Sequence, residues 1–272
     1  MAESKSNQPI GIFDSGIGGL TVANAIQEAM PNESLIYFGD TAHFPYGEKS
    51  PEAIESYSIK IADFLIKNNC KMIVIACNTA SSIAYEAVKK HLAGKAPVVS
   101  VIDPVVKAVS DLYTEGRIGV IATKATVKSD MYNQKIMEQN SKLEVMSLAT
   151  PLLAPMIEEG FYNNKISKTI IESYLSKPKL KKIDALILAC THYPLIRKEI
   201  EEYYKNKVKI IDSAEIVAAY TKALLKKENL LTTKTTKKHH FYVSDYTQSF
   251  EQSSRFFFKG KIQLEHYHLW KD

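Results

Sequence analysis

Short unbroken apolar runs alternate along this chain with longer segments whose apolar positions recur at helical spacing. Ile10 to Asp14, Leu35 to Phe38, Met72 to Ala76 and Val98 to Val101 read as strands. Helical patterns fill the gaps, through about Met30, from Pro51 to about Asn68 and from Thr79 to about Leu92. Pro51 sits at the favoured first helical position, and Asp103-Pro104 starts another helix. The alternation resumes with strands at Ile118 to Ala122, Leu143 to Leu148, Ile183 to Ala189 and Val208 to Ile211. Helices are predicted over Ala125 to Glu138, near 152–159 and 164–175, and over Leu195 to Tyr204 and Ala214 to Lys227. His240 to Val243 and Ile262 to Glu265 read as late strands around a helix from Gln248 to Phe257. Strands that are apolar throughout, separated by helices, indicate an α/β fold with mainly parallel sheets covered on both faces.

The two halves match in order and spacing. Gly11-Ile12-Phe13-Asp14 resembles Gly119-Val120-Ile121-Ala122-Thr123, and each is followed at a similar distance by an apolar run ending in Ala-Cys. Two related α/β units are expected. The first spans 1–98, with 213–272 returning to it, because a lone strand–helix–strand tail needs a sheet to join. The second spans 99–212. Leu230 to Lys238, rich in Thr and Lys, reads as a surface loop, and Met1 to Pro9 as a short disordered tail.

Composition narrows the classes. With 272 residues, 45% of them hydrophobic, the chain can bury substantial cores. No apolar run approaches the ~18 residues of a membrane span, and the polar N-terminus lacks a signal-peptide stretch, so no membrane association is expected. Three cysteines make no disulfide framework, which suggests a reducing, cytoplasmic setting. The net charge of +5 is spread along the chain. Its densest cluster, Lys177 to Lys182, reads as a solvated turn before a strand, and no nucleic-acid partner is expected.

The chemistry concentrates at strand exits, where open parallel sheets bind ligands. Residues 72–79 read Met-Ile-Val-Ile-Ala-Cys-Asn-Thr, and 185–192 read Ala-Leu-Ile-Leu-Ala-Cys-Thr-His. Cys77 and Cys190 thus stand at equivalent points of the two halves. Free cysteines are often mere packing residues, but these two sit among Asp14, Ser15, Asn78, Thr79, Thr123, Thr191 and His192. A metal site would need more soft ligands, and no Cys-x-x-Cys occurs. A thiol's unperturbed pKa of ~8.5 allows modest tuning to make one a thiolate while the other stays protonated. Proton removal from one face of a carbon and return to the other fits that pair.

Neighbouring residues suit supporting roles. Asp14 suits an ammonium group or the polarisation of Cys77, and His192 the activation of Cys190; the alternatives are a turn-forming Asp and a helix-capping His. Ser15, Asn78, Thr79 and Thr191 offer donors for carboxylates. Gly16-x-Gly18-Gly19 lacks full dinucleotide spacing and is read as a close backbone approach to a small anion. Pro45-Tyr46-Gly47 is either site lining or an ordinary turn. Glu158-Glu159-Gly160 ends a helix on what is usually a solvated face. Cys70, before its strand, is structural.

Taken together, these stretches resemble glutamate racemases of the aspartate/glutamate racemase superfamily. The matching stretches run in family order from about residue 10 to 265. They are Ile12 to Val22, Pro45-Tyr46-Gly47, Ala76-Cys77-Asn78-Thr79-Ala80, Gly119 to Thr123 with Ala125-Thr126-Val127, and Cys190-Thr191-His192-Tyr193-Pro194-Leu195. The resemblance implies an isomerase that interconverts L- and D-glutamate for peptidoglycan synthesis, without cofactor or metal and in particular without pyridoxal phosphate. It implies two α/β domains related by a pseudo-two-fold axis with the active site in the cleft between them, and a homodimer. By this likeness Cys77 takes the proton from the D-isomer and Cys190 from the L-isomer, assisted by Asp14, His192 and Glu158, with Glu159 as the alternative to Glu158. Substrate is held by Asp14, Ser15, Tyr46, Gly47, Asn78, Thr79, Thr123, Thr191 and His192. Thr150 replaces a cysteine frequent in relatives and is read as outside the chemistry. An aspartate racemase and a non-catalytic binding protein for a small anion are the competing expectations.

Overall fold

The computed structural model describes residues 4–232, 234 and 238–271. Its first sheet has six strands: β1 (Ile10–Asp14), β2 (Leu35–Gly39), β3 (Met72–Ile75), β4 (Val98–Ser100), β9 (His240–Val243) and β10 (Leu264–His266). Their order is β10-β9-β2-β1-β3-β4 and every pairing is parallel. The second sheet, also parallel, has four: β5 (Gly116–Ala122), β6 (Leu143–Ala149), β7 (Ala185–Ala189) and β8 (Lys209–Asp212), ordered β6-β5-β7-β8. The apolar runs explain the topology. All residues of β1, β2, β3 and β7 are buried, as strands covered on both faces must be. Each buried Ile, Val or Leu side chain in such a strand contributes about 1.5–3 kcal/mol of transfer free energy.

The first four strands and the next four repeat one arrangement. β1 lies between β2 and β3, and β5 between β6 and β7. In each half the chain leaves the central strand to one side and returns to the other. This makes a crevice at the carboxyl ends of the pair β1/β3 and another at β5/β7. Asp14 ends β1 and Cys77 follows β3; Thr123 follows β5 and Cys190 follows β7. The matched Ala-Cys motifs are therefore products of matched topology.

The helices are α1 (Leu20–Ala29), α2 (Pro51–Lys67), α3 (Asn78–Leu92), α4 (Ile102–Leu112), α5 (Lys124–Lys128), α6 (Met131–Gln139), α7 (Leu153–Glu158), α8 (Lys165–Leu175), α9 (Arg197–Tyr203), α10 (Ser213–Lys227) and α11 (Gln248–Phe257). Ser50 caps α2 through the Ala53 amide, with Pro51 at its first position. The single helix expected over Ala125 to Glu138 is instead two, α5 and α6. Between them Ser129 Oγ donates to the Thr126 carbonyl at 2.8 Å, and Asp130 turns left-handed at φ 55°. Short polar side chains that bond nearby backbone compete with helix continuation. The segment expected to be helical from Leu195 opens as a 3₁₀ turn, Tyr193–Ile196, before α9.

Residues 4–9, expected to be disordered, carry a 3₁₀ turn, Lys5–Asn7, while Met1 to Glu3 lie outside the described residues. A buried lysine organises this end. Lys71 Nζ meets Glu33 Oε2 at 2.5 Å and the Ser6 carbonyl at 2.6 Å. Glu33 Oε1 accepts from the Thr232 amide at 2.9 Å. Ser6, near the start of the chain, and Thr232, in the segment after α10, are thus held by one ion pair. The loop expected at Leu230 to Lys238 lies in part (233 and 235–237) outside the described residues. Lys71→Met strands Glu33 in the interior, and urea unfolding is expected to show a loss of about 3–5 kcal/mol. The further change Glu33→Leu should recover much of it, whereas a loss below about 1 kcal/mol in the single variant would show the pair to be incidental.

Candidate active site

The first half of the site is built where β1 and β3 end. Cys77 is the N-cap of α3, and its sulfur accepts from the Ala80 amide at 3.4 Å while the thiol reaches Ser15 Oγ at 3.5 Å. Burial pushes the Cys77 thiol up to about 12, and the neighbouring Asp14 carboxylate adds to the rise; the Ala80 amide and Ser15 act against it. Asp14 has no exposed surface, and its Oδ2 accepts from the Gly16 amide at 3.1 Å. Its carboxyl is also raised. Burial is the main cause, opposed by His192 and by the amides of Gly19 and Gly16.

The second half is built where β7 ends. Cys190 Sγ lies 3.7 Å from His192 Nδ1, and His192 Nε2 lies 2.7 Å from Glu158 Oε1. Burial disfavours the imidazolium, but the Glu158 carboxylate, aided by the hydrogen bonds to Cys190 and Glu158, outweighs it. His192 is held well above its ordinary value. The ring is wedged between aromatic neighbours, Phe257 at 5.2 Å and Phe44 at 6.1 Å between centroids. Glu158, at the end of α7, is the acid that meets His192; Glu159 is exposed.

Both thiols line one narrow crevice with a cavity volume of about 30 Å³. Ser15, Tyr46, Gly47, Asn78, Thr79, Thr123, Thr191 and His192 line it as well. Asp14 and Glu158 do not. They stand behind Cys77 and His192, so they reach the crevice through those side chains. The two sheets meet at a triangle of hydroxyls: Thr79 Oγ1 lies 2.9 Å from Thr123 Oγ1 and 3.1 Å from Thr126 Oγ1, and the last two are 3.0 Å apart. Tyr132, on α6, donates its hydroxyl to Asn78 Oδ1 at 2.7 Å. That fixes the amide, leaving Asn78 Nδ2 buried with no partner. A buried amide donor without a partner costs free energy unless a ligand completes it.

The glycine turn also makes room for the protein's own side chains. A Cβ on Gly18 would lie 2.5 Å from the His192 ring and 2.6 Å from Thr191 Oγ1; one on Gly19 would lie 2.5 Å from Asp14 Cβ. These glycines make room for the site's own side chains. Tyr132, Thr126 and Phe44 were not singled out as site residues. Tyr132 and Thr126 act from the half-chain opposite the groups they touch, and no local pattern announces such partners.

The family model for Asp/Glu/hydantoin racemases matches residues 19–221. The chain belongs to this racemase family. Glutamate racemase of Geobacter metallireducens is 43% identical over 254 residues, covering 93% of both chains. That of Chlorobaculum parvum is 46% identical over 253 residues, again 93% of both. The crystal structure of Francisella tularensis glutamate racemase in complex with D-glutamate matches with a TM-score of 0.91 at 41% identity, over 97% of this chain and 98% of that one. This racemase is accordingly an isomerase with the two-domain α/β fold of those enzymes.

Gly18→Ala drives a methyl group into His192. The variant is expected to fold yet to lose about 100-fold in racemase activity, the usual consequence of displacing a reacting group by about 1 Å; full activity would show the close approach to be unnecessary. The His192–Glu158 pair has a pH signature. His192 in the fold sits above its free value of 6.5, so the pair's stabilisation is complete below that pH and is lost as pH climbs through the raised value. Glu158→Gln should cost about 2 kcal/mol at pH 6 by urea unfolding, with the gap narrowing in alkali. A gap independent of pH would contradict the assignment of charge.

Proposed function

We propose that this racemase interconverts L- and D-glutamate by passing protons between Cα and two thiols, without a cofactor, and so supplies D-glutamate for peptidoglycan synthesis. The observation that carries the reading is that Cys77 and Cys190, contributed by different sheets, line the same crevice, Cys190 with His192 against it and Cys77 within the field of the Asp14 carboxylate. The glutamate racemases that the chain resembles supply the substrate.

Starting from D-glutamate, Cys77 removes the Cα proton and Cys190 delivers one to the other face; L-glutamate runs the same path in reverse. A thiol at about 12 rather than its ordinary 9.0 makes a standing thiolate costly, by about 4 kcal/mol. The same shift makes the thiolate a stronger base toward a weakly acidic carbon. Asp14, itself raised by burial, takes the Cys77 proton as substrate arrives. His192, charged by Glu158, exchanges a proton with Cys190. The unpartnered Asn78 Nδ2 and the hydroxyls of Thr79, Thr123 and Thr191 hold carboxylate oxygens, with Ser15, Tyr46 and Gly47 closing the walls.

In this reading one lobe comprises 1–98 with 213–272 and the other 99–212. The division is supported by the two separate sheets, the return of β9 and β10 to β2, and the packing of α10 on α1, with β4 carrying the first lobe two residues further, to Ser100. The family resemblance supports a cytoplasmic homodimer. No described helix is long and apolar enough to cross a membrane.

Incubation with L-glutamate in D₂O, with no added cofactor, should erase optical rotation and place deuterium at Cα of the product. Alanine at either thiol should slow this by about 10²–10⁴-fold, the worth of a positioned proton-transfer group. Faster turnover of aspartate than of glutamate would transfer the activity to the shorter substrate, since one methylene is worth only about 1–3 kcal/mol. No exchange with either would leave a binding protein.

A further inference from the structure

Four of the residues that line the crevice, Phe44, Pro45, Tyr46 and Gly47, come from the loop after β2. That loop is tied to a part of the chain that the reaction does not use. Asp40 is fully buried, and both of its carboxylate oxygens are occupied. Oδ2 accepts from the Tyr46 hydroxyl at 2.7 Å and lies 2.9 Å from His43 Nδ1. Oδ1 accepts from Ser244 Oγ at 2.7 Å and from Trp270 Nε1 at 2.8 Å. Ser244 follows β9 and Trp270 follows β10, more than 200 residues further along the chain.

Packing reinforces the hydrogen bonds. The His43 ring stacks on Tyr57 at 3.9 Å and meets the edge of Trp270 at 4.6 Å. Tyr57 in turn contacts Tyr46 and Trp270 at 5.8 and 5.4 Å. Hydrogen bonds to a charged acceptor are the strong class, and a buried carboxylate that loses a donor becomes destabilising in place.

We propose that Asp40 and Trp270 form a clamp by which the segment after β10 positions the crevice-lining loop, Trp270 acting as a positioning residue for substrate binding. The inference rests on the reading of the crevice as the glutamate site. Trp270 reaches the lining loop through Asp40, His43 and Tyr57, so its loss disturbs where Tyr46 and Gly47 stand and leaves both thiols in place. Substrate affinity is what the clamp controls.

Trp270→Phe keeps an aromatic ring and deletes the Nε1 donor; Trp270 is only half-buried, so the core stays filled. The variant should raise KM for glutamate in both directions about tenfold while kcat stays within about twofold. Hydrogen exchange should quicken at the amides of His43, Glu48 and Lys49, which close the loop's own turns, and stay unchanged in α3. Unchanged KM and unchanged loop exchange would overturn the clamp, as would an equal fall in kcat and kcat/KM. Faster loop exchange in a protein whose unmodified form does not racemise glutamate would uphold the clamp and reject the substrate. Should Trp270→Phe not fold, Ser244→Ala, which removes another Oδ1 donor from the same C-terminal segment, should give the same pattern, and its failure to do so would equally overturn the clamp.

Discussion

Withdrawal of ionisable groups from water at the carboxyl ends of two parallel sheets is the constraint on which the rest of this molecule depends. Cys77, Asp14 and His192 are all buried; burial raises the first two, while the Glu158 carboxylate raises His192 against the pull of burial. In water a thiol, a carboxyl group and an imidazole settle their protons independently. Here the proton on any one of them depends on its neighbours, because in a low-dielectric interior the charges act strongly on one another. The apolar strands supply that interior, and the repeated topology supplies it twice, facing one crevice.

The charged groups persist there because each half has its own compensation. On the side of β7, Glu158 offsets the burial of His192, and the imidazole is then held against Cys190. On the side of β3, amides do the work: Ala80 toward Cys77, and Gly16 and Gly19 toward Asp14. The halves are joined by the hydroxyl triangle of Thr79, Thr123 and Thr126 and by the bond from Tyr132 to Asn78. All of those contacts except Thr123–Thr126 cross from one sheet's elements to the other's, so relative placement of the two thiols is set by polar contacts as well as by core packing. Gly18 and Gly19 let these side chains approach backbone that any Cβ would obstruct.

Much of this was legible in the chain itself. Strands apolar throughout have no competing reading at such lengths, and the Ala-Cys exits mark the ends of two of them. Local pattern also located α11 at its observed bounds and α2 to within one residue. Contacts between distant residues were not legible. Asp40, Ser244 and Trp270 give no local sign of sharing one carboxylate, and Tyr132 lies 54 residues from its partner. Glu158 and Glu159 are equivalent on paper, and only the pitch of α7 turns one toward His192. The break between α5 and α6 escaped because the apolar period continues through it, while Ser129 and Asp130 end the helix by backbone geometry. The glycine turn signals that something comes close without saying what does; the side chains of His192, Thr191 and Asp14 are what crowd Gly18 and Gly19.

The account's central claim is that the two sulfur atoms act on the same carbon from different sides, each serving one enantiomer. The most direct measurement is the kinetic isotope effect with Cα-deuterated D- and L-glutamate in two single-serine variants. With Cys77→Ser, removal of the proton from the D-isomer becomes the slow step, so the larger effect is predicted for D-glutamate. With Cys190→Ser the larger effect moves to L-glutamate. The same effects in both variants, or an undiminished rate in either, would contradict a mechanism in which each thiol serves its own face.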